Sequence, residues 1–205
     1  MDKPVKAVVF DVGRVIVQWN LRYLFAQYID DPAQLDWFCR NVVTEEWHFE
    51  ADQGKALADM VAERTALFPD HADLIAAYSK RFLDTIPDVI EGTPALIEEL
   101  AARKVPLFAI TNFGAEFWDQ FRPTMPLFDH FTDIVVSGVE KMVKPDHAIF
   151  NLAAKRFGFA PSEMLFVDDN AANIEAASAL GWQVHHFTAA DTLGDDLRGR
   201  GLLPA

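Results

Sequence analysis

Two apolar segments that each end in aspartate constrain the fold more than any other feature. Residues 7–11 read Ala-Val-Val-Phe-Asp, and residues 165–169 read Leu-Phe-Val-Asp-Asp. Such runs are typical of strands buried on both faces of a parallel sheet. Open α/β sheets bind ligands at the carboxyl ends of their strands, so we expect Asp11, Asp168 and Asp169 to meet there around one divalent cation. For a single strand the alternative is an aspartate that merely caps the next helix.

Five β-rich runs alternate with helical patterns, which predicts an α/β fold with a parallel sheet covered by helices on both faces. The runs span residues 5–11, 106–112, 133–138, 164–170 and 183–187. If the first strand lies between the second and the fourth, Asp11 and Asp169 meet at the switch point of the sheet. This arrangement predicts the strand order 5-4-1-2-3.

Helix boundaries are marked by a few residues that favour helix ends. Thr93 is expected to N-cap a helix over residues 94–103, with Pro94 at its first position. Gly158 and Gly181 are expected to close the helices before the fourth and fifth strands.

A long segment between the first two strands has helical spacing and no strand pattern, from about residue 21 to residue 88. It is too long for a simple crossover and predicts a small all-helical cap domain. The predicted division is a core domain over residues 1–17 and 89–205 and a cap domain over residues 18–88. The glycine-rich residues 194–205 are expected to form a loosely held terminus.

Charge and composition exclude several classes of partner. A net charge of −13 argues against nucleic acid or an anionic membrane as partner. No stretch approaches the ~18 apolar residues of a membrane helix. Residues 1–4 run straight into the first strand without a signal peptide's apolar region, and Cys39 is the single cysteine, so we expect a cytoplasmic protein. The oligomeric state stays open.

Several strand-end residues have the chemistry of phosphoryl transfer. Asp11 is able to attack phosphorus and form an aspartyl-phosphate. Thr111 and Asn112 end the second strand and offer donors to phosphoryl oxygens, although an ordinary strand-ending turn is the alternative. Lys144 offers a point charge that neutralises the nucleophile and the transferring group, with Lys141 as its local competitor. The carboxylates at residues 168 and 169 are hard oxygen ligands suited to Mg²⁺, and Asn173 follows one helical turn later.

Four short motifs stand in the order used by the haloacid dehalogenase-like (HAD) hydrolase superfamily, which the chain resembles over nearly its whole length. They are Phe10-Asp11-Val12-Gly13, Ile110-Thr111-Asn112, Lys144-Pro145 and Val167-Asp168-Asp169-Asn170. The resemblance implies a Rossmann-like core with a helical cap and Mg²⁺-dependent hydrolysis of a small phosphorylated substrate. It assigns catalysis to Asp11 and Lys144. It also implies that Mg²⁺ is held by Asp11, the Gly13 carbonyl, Asp169 directly and Asp168 through water.

Gly13 departs from the family's pattern. Phosphatases of the family usually carry a second aspartate here, which protonates the leaving group and later activates water. A backbone carbonyl is able to bind Mg²⁺ but not to move a proton, and such acid–base help is typically worth about 10²–10⁴ in rate. Members with the same Asp-x-Gly start, including those resembling α-D-glucose-1-phosphate phosphatase, are still taken to be phosphatases. An anomeric phosphate leaves easily, which fits a missing acid.

Two other classes of function stay open. In a dehalogenase Asp11 would attack carbon without a metal, and the acidic pair Asp168-Asp169 argues against this reading. A binding protein would keep the fold and the site without turnover, and Gly13 makes that reading credible.

Substrate selection is expected to lie in the cap, at residues 45–50 and the turn at Gly54. We assign Trp47 and His48 to substrate binding. Trp47 and Phe49 offer rings that stack on a sugar, although aromatic residues at such spacing more often form cap core. His48 is the candidate replacement for the missing acid because histidine titrates near neutral pH. The alternative for His48 is a plain surface position on the cap.

Overall fold

A five-stranded parallel sheet forms the centre of the computed structural model, which describes residues 4–204. The strands are β1 Ala7–Phe10, β2 Leu107–Thr111, β3 Asp133–Val136, β4 Met164–Asp168 and β5 Gln183–His186. Their spatial order is β3-β2-β1-β4-β5, and every neighbouring pair is parallel. The predicted fold class and strand order are confirmed. The expectation that no signal peptide precedes β1 falls mainly on residues 1–3, which lie outside the described residues.

Helices surround the sheet and fill the segment between β1 and β2. They are α1 Leu21–Phe25, α2 Pro32–Asn41, α3 Glu45–Asp52, α4 Leu57–Leu67, α5 Ala72–Lys80, α6 Thr93–Ala102, α7 Ala115–Phe121, α8 Ser137–Glu140, α9 His147–Phe157, α10 Ala171–Ala179 and α11 Ala190–Gly199. Short 3₁₀ turns lie at Pro69–His71, Phe82–Thr85, Arg122–Thr124, Pro126–His130 and Pro161–Glu163. Within residues 4–204, no helix is long and apolar enough to span a membrane.

Strand β1 is buried on both faces, as its unbroken apolar run predicts. Val8 and Phe10 belong to the hydrophobic cluster on one face of the sheet. Ala7 and Val9 belong to the cluster on the other face. Successive side chains of a strand point to opposite faces, so both faces must be apolar.

The inserted helices α1–α5 leave and rejoin the core at one place. Val17 pairs with Val89 in an isolated antiparallel bridge, and the Ile90 amide donates to the Ile16 carbonyl at 2.8 Å. The two connecting segments therefore lie side by side at the predicted boundary. The division into a core and a cap domain stays a prediction, because one hydrophobic cluster joins both parts.

The predicted start of α6 is wrong by one residue. Gly92 is the N-cap, with φ 84°, and Thr93 is already helical. The Thr93 hydroxyl is buried and has no hydrogen-bond partner among the described residues. Glycine takes this positive φ at no steric cost, so the helix begins directly after it. The predicted closures at Gly158 and Gly181 are confirmed, with φ 77° and 81° after α9 and α10.

The predicted loose terminus over residues 194–205 is also wrong. Helix α11 continues to Gly199, and Leu197, Leu202 and Leu203 are buried. The Arg103 side chain donates to the Leu202 carbonyl at 2.8 Å. Leu193 and Leu197 lie four residues apart on α11, and Leu202 and Leu203 pack on the same core after the helix ends, which outweighs the glycine content of the segment. Ala205 lies outside the described residues.

Candidate active site

Three carboxylates converge where β1 and β4 end. Asp11 follows β1, Asp168 is the last residue of β4, and Asp169 comes next. The two strands are neighbours in register, with Phe10 opposite Val167. Oxygen atoms from all three carboxylates lie within 4.8 Å of one another. The strand ends therefore bring together the three residues that the sequence assigned to one cation.

Lys144 lies at the centre of this cluster. Its Nζ is 2.8 Å from Asp11 Oδ1 and 2.7 Å from Asp168 Oδ2. The Lys144 side chain is 1% exposed, so the two ion pairs replace its lost hydration. Burial alone lowers the pKa of Lys144, but the charges of Asp11 and Asp168 outweigh it and raise that pKa. The competitor Lys141 is exposed and lies outside the cavity lining.

Asp11 is a buried carboxylate with several donors. Besides Lys144, the Val12 amide donates to Asp11 Oδ1 at 2.7 Å. Burial raises the pKa of Asp11 to about 7, and the neighbouring Lys144 charge opposes that rise. The carboxylate form, which is the nucleophilic form, therefore depends on nearby positive charge.

Asp168 differs from Asp169 in how its oxygens are used. Asp168 is fully buried and accepts from Lys144 Nζ, from the Asn170 amide at 2.8 Å and from Asn173 Nδ2 at 3.1 Å. Both Asp168 oxygens are thus already bonded to the protein. Asp169 is only partly buried and lines the cavity. Asn173, one turn into α10, also lines the cavity.

Asn112 and Thr111, which were predicted to bind phosphoryl oxygens, differ in their hydrogen bonds. Asn112 Nδ2 donates to the Lys144 carbonyl at 2.9 Å, and Asn112 Oδ1 accepts from the Lys144 amide at 2.8 Å. The Asn112 side chain thus fixes the backbone of Lys144, and Asn112 also lines the cavity, so its binding of phosphoryl oxygens stays a prediction. The Thr111 hydroxyl is buried and without a hydrogen-bond partner within residues 4–204. Thr111 lies behind the cavity lining.

A cavity of about 340 Å³ opens between these strand ends and helix α3. Its lining residues are Asp11, Gly13, Arg14, Trp19, Glu45, His48, Phe49, Asp52, Phe82, Asn112, Phe113, Lys144, Pro145, Asp169, Asn170 and Asn173. A cavity of this size admits a small molecule. Four aromatic rings line it, together with an exposed ion pair in which Arg14 meets Glu45 at 2.8 Å.

The structure does not bring Trp47 to the cavity. Its ring packs against Tyr78 with centroids 4.8 Å apart, and the Arg64 guanidinium lies over it at 5.7 Å. The predicted stacking of Trp47 on substrate is therefore wrong, because Trp47 lies on a different face of α3 from His48 and Phe49, which line the cavity. Phe49, predicted beside it, does line the cavity.

His48 lines the cavity but is a buried, neutral imidazole. Its Nδ1 lies 2.7 Å from the Tyr78 hydroxyl, and its ring stacks on Phe82 with centroids 5.7 Å apart. Burial, followed by the charge of Arg14, lowers the pKa of His48 to about 3. Neither the expected surface position nor the expected titration near neutral pH is found. A pKa lowered in this way disfavours His48 as the proton donor at neutral pH, although it lines the cavity.

Asp52, which sequence reasoning missed, lines the same cavity from the end of α3. It is 4% exposed, and its Oδ1 has no hydrogen-bond partner in the described part of the chain. The nearest ring nitrogen, His48 Nε2, is 3.7 Å from Asp52 Oδ1. Burial first, and then the charge of Asp11, raise the pKa of Asp52 to about 8. The one available sequence signal was the i,i+4 spacing from His48, which places both on one helix face.

Other residues missed by the sequence analysis come from segments near the strand ends. Arg14 and Trp19 belong to the loop after β1, and the Arg14 guanidinium lies 5.1 Å above the Trp19 ring. Phe82 and Phe113 come from the end of the insertion and the loop after β2. Their proximity in sequence to strand ends was the signal for Arg14 and Phe113.

The donor set fits a magnesium ion. Three carboxylates around a single buried lysine leave an excess of negative charge, and every nearby donor is an oxygen. Gly13 also lines this cavity, which makes its carbonyl available. Hard oxygen donors with few ligands from the protein are what Mg²⁺ prefers.

Comparisons with known proteins match the chain to one family and to phosphatases. Residues 44–187 match the model of a family described as haloacid dehalogenase-like hydrolase. A sesquiterpene phosphatase from Aspergillus oryzae is 26% identical over 185 residues, covering 89% of this chain and 90% of its own length. A phosphoglycolate phosphatase from Yersinia pseudotuberculosis is 30% identical over 125 residues, covering 60% of this chain. The match spans 50% of that relative's length.

The fold is shared with solved structures of low sequence identity. A HAD family enzyme from Bacteroides thetaiotaomicron, in complex with magnesium and inorganic phosphate, superposes with a TM-score of 0.71 at 19% identity. The superposition covers 90% of this chain and 95% of that one. At this level of identity the likeness demonstrates a common fold.

Proposed function

Because the chain belongs to the haloacid dehalogenase-like hydrolase family, we propose that it is a Mg²⁺-dependent phosphatase of small phosphorylated metabolites, acting through an aspartyl-phosphate on Asp11. The observation that carries this proposal is the cluster at the ends of β1 and β4. There Lys144 is paired with both Asp11 and Asp168, and Asp169 faces the cavity. The phosphatase relatives support the same reaction class.

Asp11 is the nucleophile in this proposal. Its carboxylate attacks phosphorus, the bond to the leaving oxygen breaks, and water then hydrolyses the acyl phosphate to regenerate Asp11. Lys144 holds Asp11 Oδ1 at 2.8 Å and favours its ionised form. Asn112 fixes the Lys144 backbone on both sides and thereby positions the ammonium.

Mg²⁺ would be held by Asp11, the Gly13 carbonyl and Asp169 directly, with Asp168 acting through water. Support for this division comes from Asp168, whose oxygens already accept from Lys144 and from backbone and amide donors. When bound, the ion would supply positive charge that offsets the carboxylates and the phosphoryl group. The magnesium in the solved relative supports this choice of ion.

The substrate is proposed to be small and to carry an apolar or ring-shaped leaving group. A cavity of about 340 Å³ lined by Trp19, Phe49, Phe82 and Phe113 suits such a molecule. Sugar phosphates fit this class through stacking on the rings. The narrower resemblance to α-D-glucose-1-phosphate phosphatase and a cytoplasmic location stay predictions from the sequence.

The test is phosphate release from a panel of sugar phosphates and p-nitrophenyl phosphate, with Mg²⁺ and with excess chelator. We expect turnover with Mg²⁺, loss of turnover with chelator, and at least about 10³-fold lower kcat in Asp11→Asn, because an amide is a poor nucleophile. Asp59→Asn, an exposed change of the same kind on α4, is the matched control. Activity of Asp11→Asn above a few per cent of wild type contradicts the proposal.

An assay of halide release with the same protein preparation distinguishes a phosphatase from a dehalogenase. Halide release from 2-chloropropionate that persists in chelator would indicate attack of Asp11 on carbon. A folded chain that binds phosphate but turns over neither class of substrate would indicate a binding protein.

A further inference from the structure

We propose that Asp52, on cap helix α3, protonates the leaving group and thereby supplies the function that Gly13 lacks. This inference rests on the proposed phosphatase activity. Asp52 and Asp11 line one cavity, Asp52 from the cap side and Asp11 from the strand ends. A substrate whose phosphoryl group meets Asp11 directs its leaving oxygen away from Asp11 and towards the cap, because nucleophile and leaving oxygen lie in line.

The Asp52 carboxyl has an unused oxygen. Its Oδ1 is buried without a hydrogen-bond partner among residues 4–204, and His48 Nε2 at 3.7 Å is beyond hydrogen-bond distance. A buried polar atom without a partner costs free energy and is uncommon in native structures. An oxygen of the substrate in the cavity would supply the missing partner.

Close contacts hold the end of α3 against the core. A Cβ added to Gly114, in the loop after β2, would lie 2.9 Å from Ala51 Cβ. A Cβ added to Gly54 would lie 3.0 Å from the Gly138 carbonyl, in α8 after β3. These glycines allow the helix end and the core loops to approach, so Asp52 is fixed relative to the strand ends. A proton donor requires such fixed placement.

The surroundings of Asp52 favour its protonated form. Burial is the main cause and the Asp11 charge adds to it, so the pKa of Asp52 rises to about 8, although a hydrogen bond from the Gly114 backbone and the Lys144 charge oppose the rise. His48, on the same helix face, is neutral because burial lowers its pKa to about 3. Glu45, the other acid on the cap side, is exposed and paired with Arg14. Asp52 is thus the buried cap acid that holds a proton at neutral pH.

In the proposed step, attack by Asp11 is coupled to proton transfer from Asp52. The Asp11 carboxylate forms a bond to phosphorus while the bond from phosphorus to the leaving oxygen breaks. The leaving oxygen takes that electron pair and the proton of the Asp52 carboxyl, and departs as an alcohol. The Asp52 carboxylate then accepts a proton from the water that attacks the aspartyl-phosphate, which returns both residues to their starting forms.

The test compares two aryl phosphates of similar shape that differ in leaving group. p-Nitrophenol leaves well without protonation, whereas phenol leaves poorly, so kcat/KM with Mg²⁺ is measured for p-nitrophenyl phosphate and phenyl phosphate. This parameter reports the step that forms the aspartyl-phosphate and excludes its hydrolysis. We expect Asp52→Asn to lower kcat/KM for phenyl phosphate by about 10²-fold or more, and for p-nitrophenyl phosphate by less than about fivefold. Asp59→Asn, exposed on α4, is expected to leave both within about twofold.

Equal loss for both substrates, or no loss for phenyl phosphate, overturns the role of Asp52. If Asp52→Asn does not fold, the wild-type pH profile decides. With Asp52 as the acid, kcat/KM for phenyl phosphate falls as pH rises through about 8, the pKa of Asp52, while the ratio to p-nitrophenyl phosphate falls with it. A constant ratio contradicts the proposal. A wild type that hydrolyses neither ester overturns the phosphatase function itself, which separates the two failures.

Discussion

Two clusters of buried polar groups line one cavity, and they differ in how their charges are compensated. At the strand ends, Asp11 and Asp168 each form an ion pair with Lys144. Asp168 also accepts a hydrogen bond from the Asn170 amide. On helix α3, neither Asp52 nor His48 forms an ion pair with a lysine or arginine within residues 4–204. There, desolvation drives both groups to their neutral forms.

Burial raises the pKa of both carboxyls, and the adjacent Lys144 charge keeps the pKa of Asp11, about 7, below that of Asp52, about 8. A carboxyl with a lysine at 2.8 Å is suited to nucleophilic attack. A carboxyl in an aromatic wall without a cation is suited to hold a proton. Two carboxyls with different surroundings, Asp11 and Asp52, thereby line one cavity.

The largest effect is expected when one carboxylate that pairs with Lys144 is removed at the strand ends. Asp168→Ala leaves the buried Lys144 with one partner instead of two, so we expect the free energy of unfolding to fall by about 3–5 kcal/mol. Asp169→Ala removes a partly exposed group and is expected to cost less than about 1 kcal/mol. Urea unfolding in chelator measures both.

Metal binding should rank the same two variants in the opposite order. By titration calorimetry, Asp169→Ala is expected to lose Mg²⁺ binding more completely than Asp168→Ala, because a direct ligand contributes more than one acting through water. Equal losses in both measurements would remove the distinction between the two carboxyls.

The next test concerns stability against pH on the cap side. The pKa of Asp52 is about 8 in the folded chain against 3.8 ordinarily, so the unfolded chain loses this proton first as pH rises. Asp52 therefore destabilises the fold increasingly from pH 4 towards pH 8. Asp52→Asn should gain about 4 kcal/mol relative to wild type between pH 4 and pH 7, at about 1.4 kcal/mol for each pH unit. A difference that does not vary with pH would show Asp52 ionised in the folded chain.

The smallest effect is expected at the hydroxyl behind His48. Tyr78→Phe leaves His48 Nδ1 without its partner at 2.7 Å and should lower the free energy of unfolding by about 1 kcal/mol. Tyr23→Phe, whose exposed hydroxyl lies 3.3 Å from Gln18, is the matched control and should change it by less than about 0.5 kcal/mol. If both urea midpoints shift alike, the hydrogen bond to His48 contributes nothing specific.

The strand-end cluster was predictable because each of its acids follows an apolar run directly. A strand fixes the direction in which its last residue points, and the crossover rule brings the ends of β1 and β4 together. Asp11 and Asp169 thus needed no knowledge of distant residues. Lys144 was identified through the following Pro145, as the resemblance implied.

The pair Asp52 and His48 on α3 was not predictable on these grounds. Asp52 becomes a buried acid only because Gly114 lets α3 approach a loop about sixty residues away in sequence, and no local pattern encodes that contact. For the same reason, a surface position was the alternative for His48, which is in fact buried. The packing that lowers its pKa comes from Tyr78 and Phe82. Helix α11 was missed because its glycines obscured the leucine spacing.

The open space beside Gly13 has a consequence for how such a chain can change by mutation. A Cβ added to Gly13 meets no atom within 4 Å, and the backbone there needs no left-handed conformation. A carboxylate can therefore be added at Gly13 while Asp52 is still in place. A lineage carrying both acids is free to lose either one. If Asp52 is the proton donor, as proposed, this role can thus pass between residue 52 and residue 13 without an inactive intermediate.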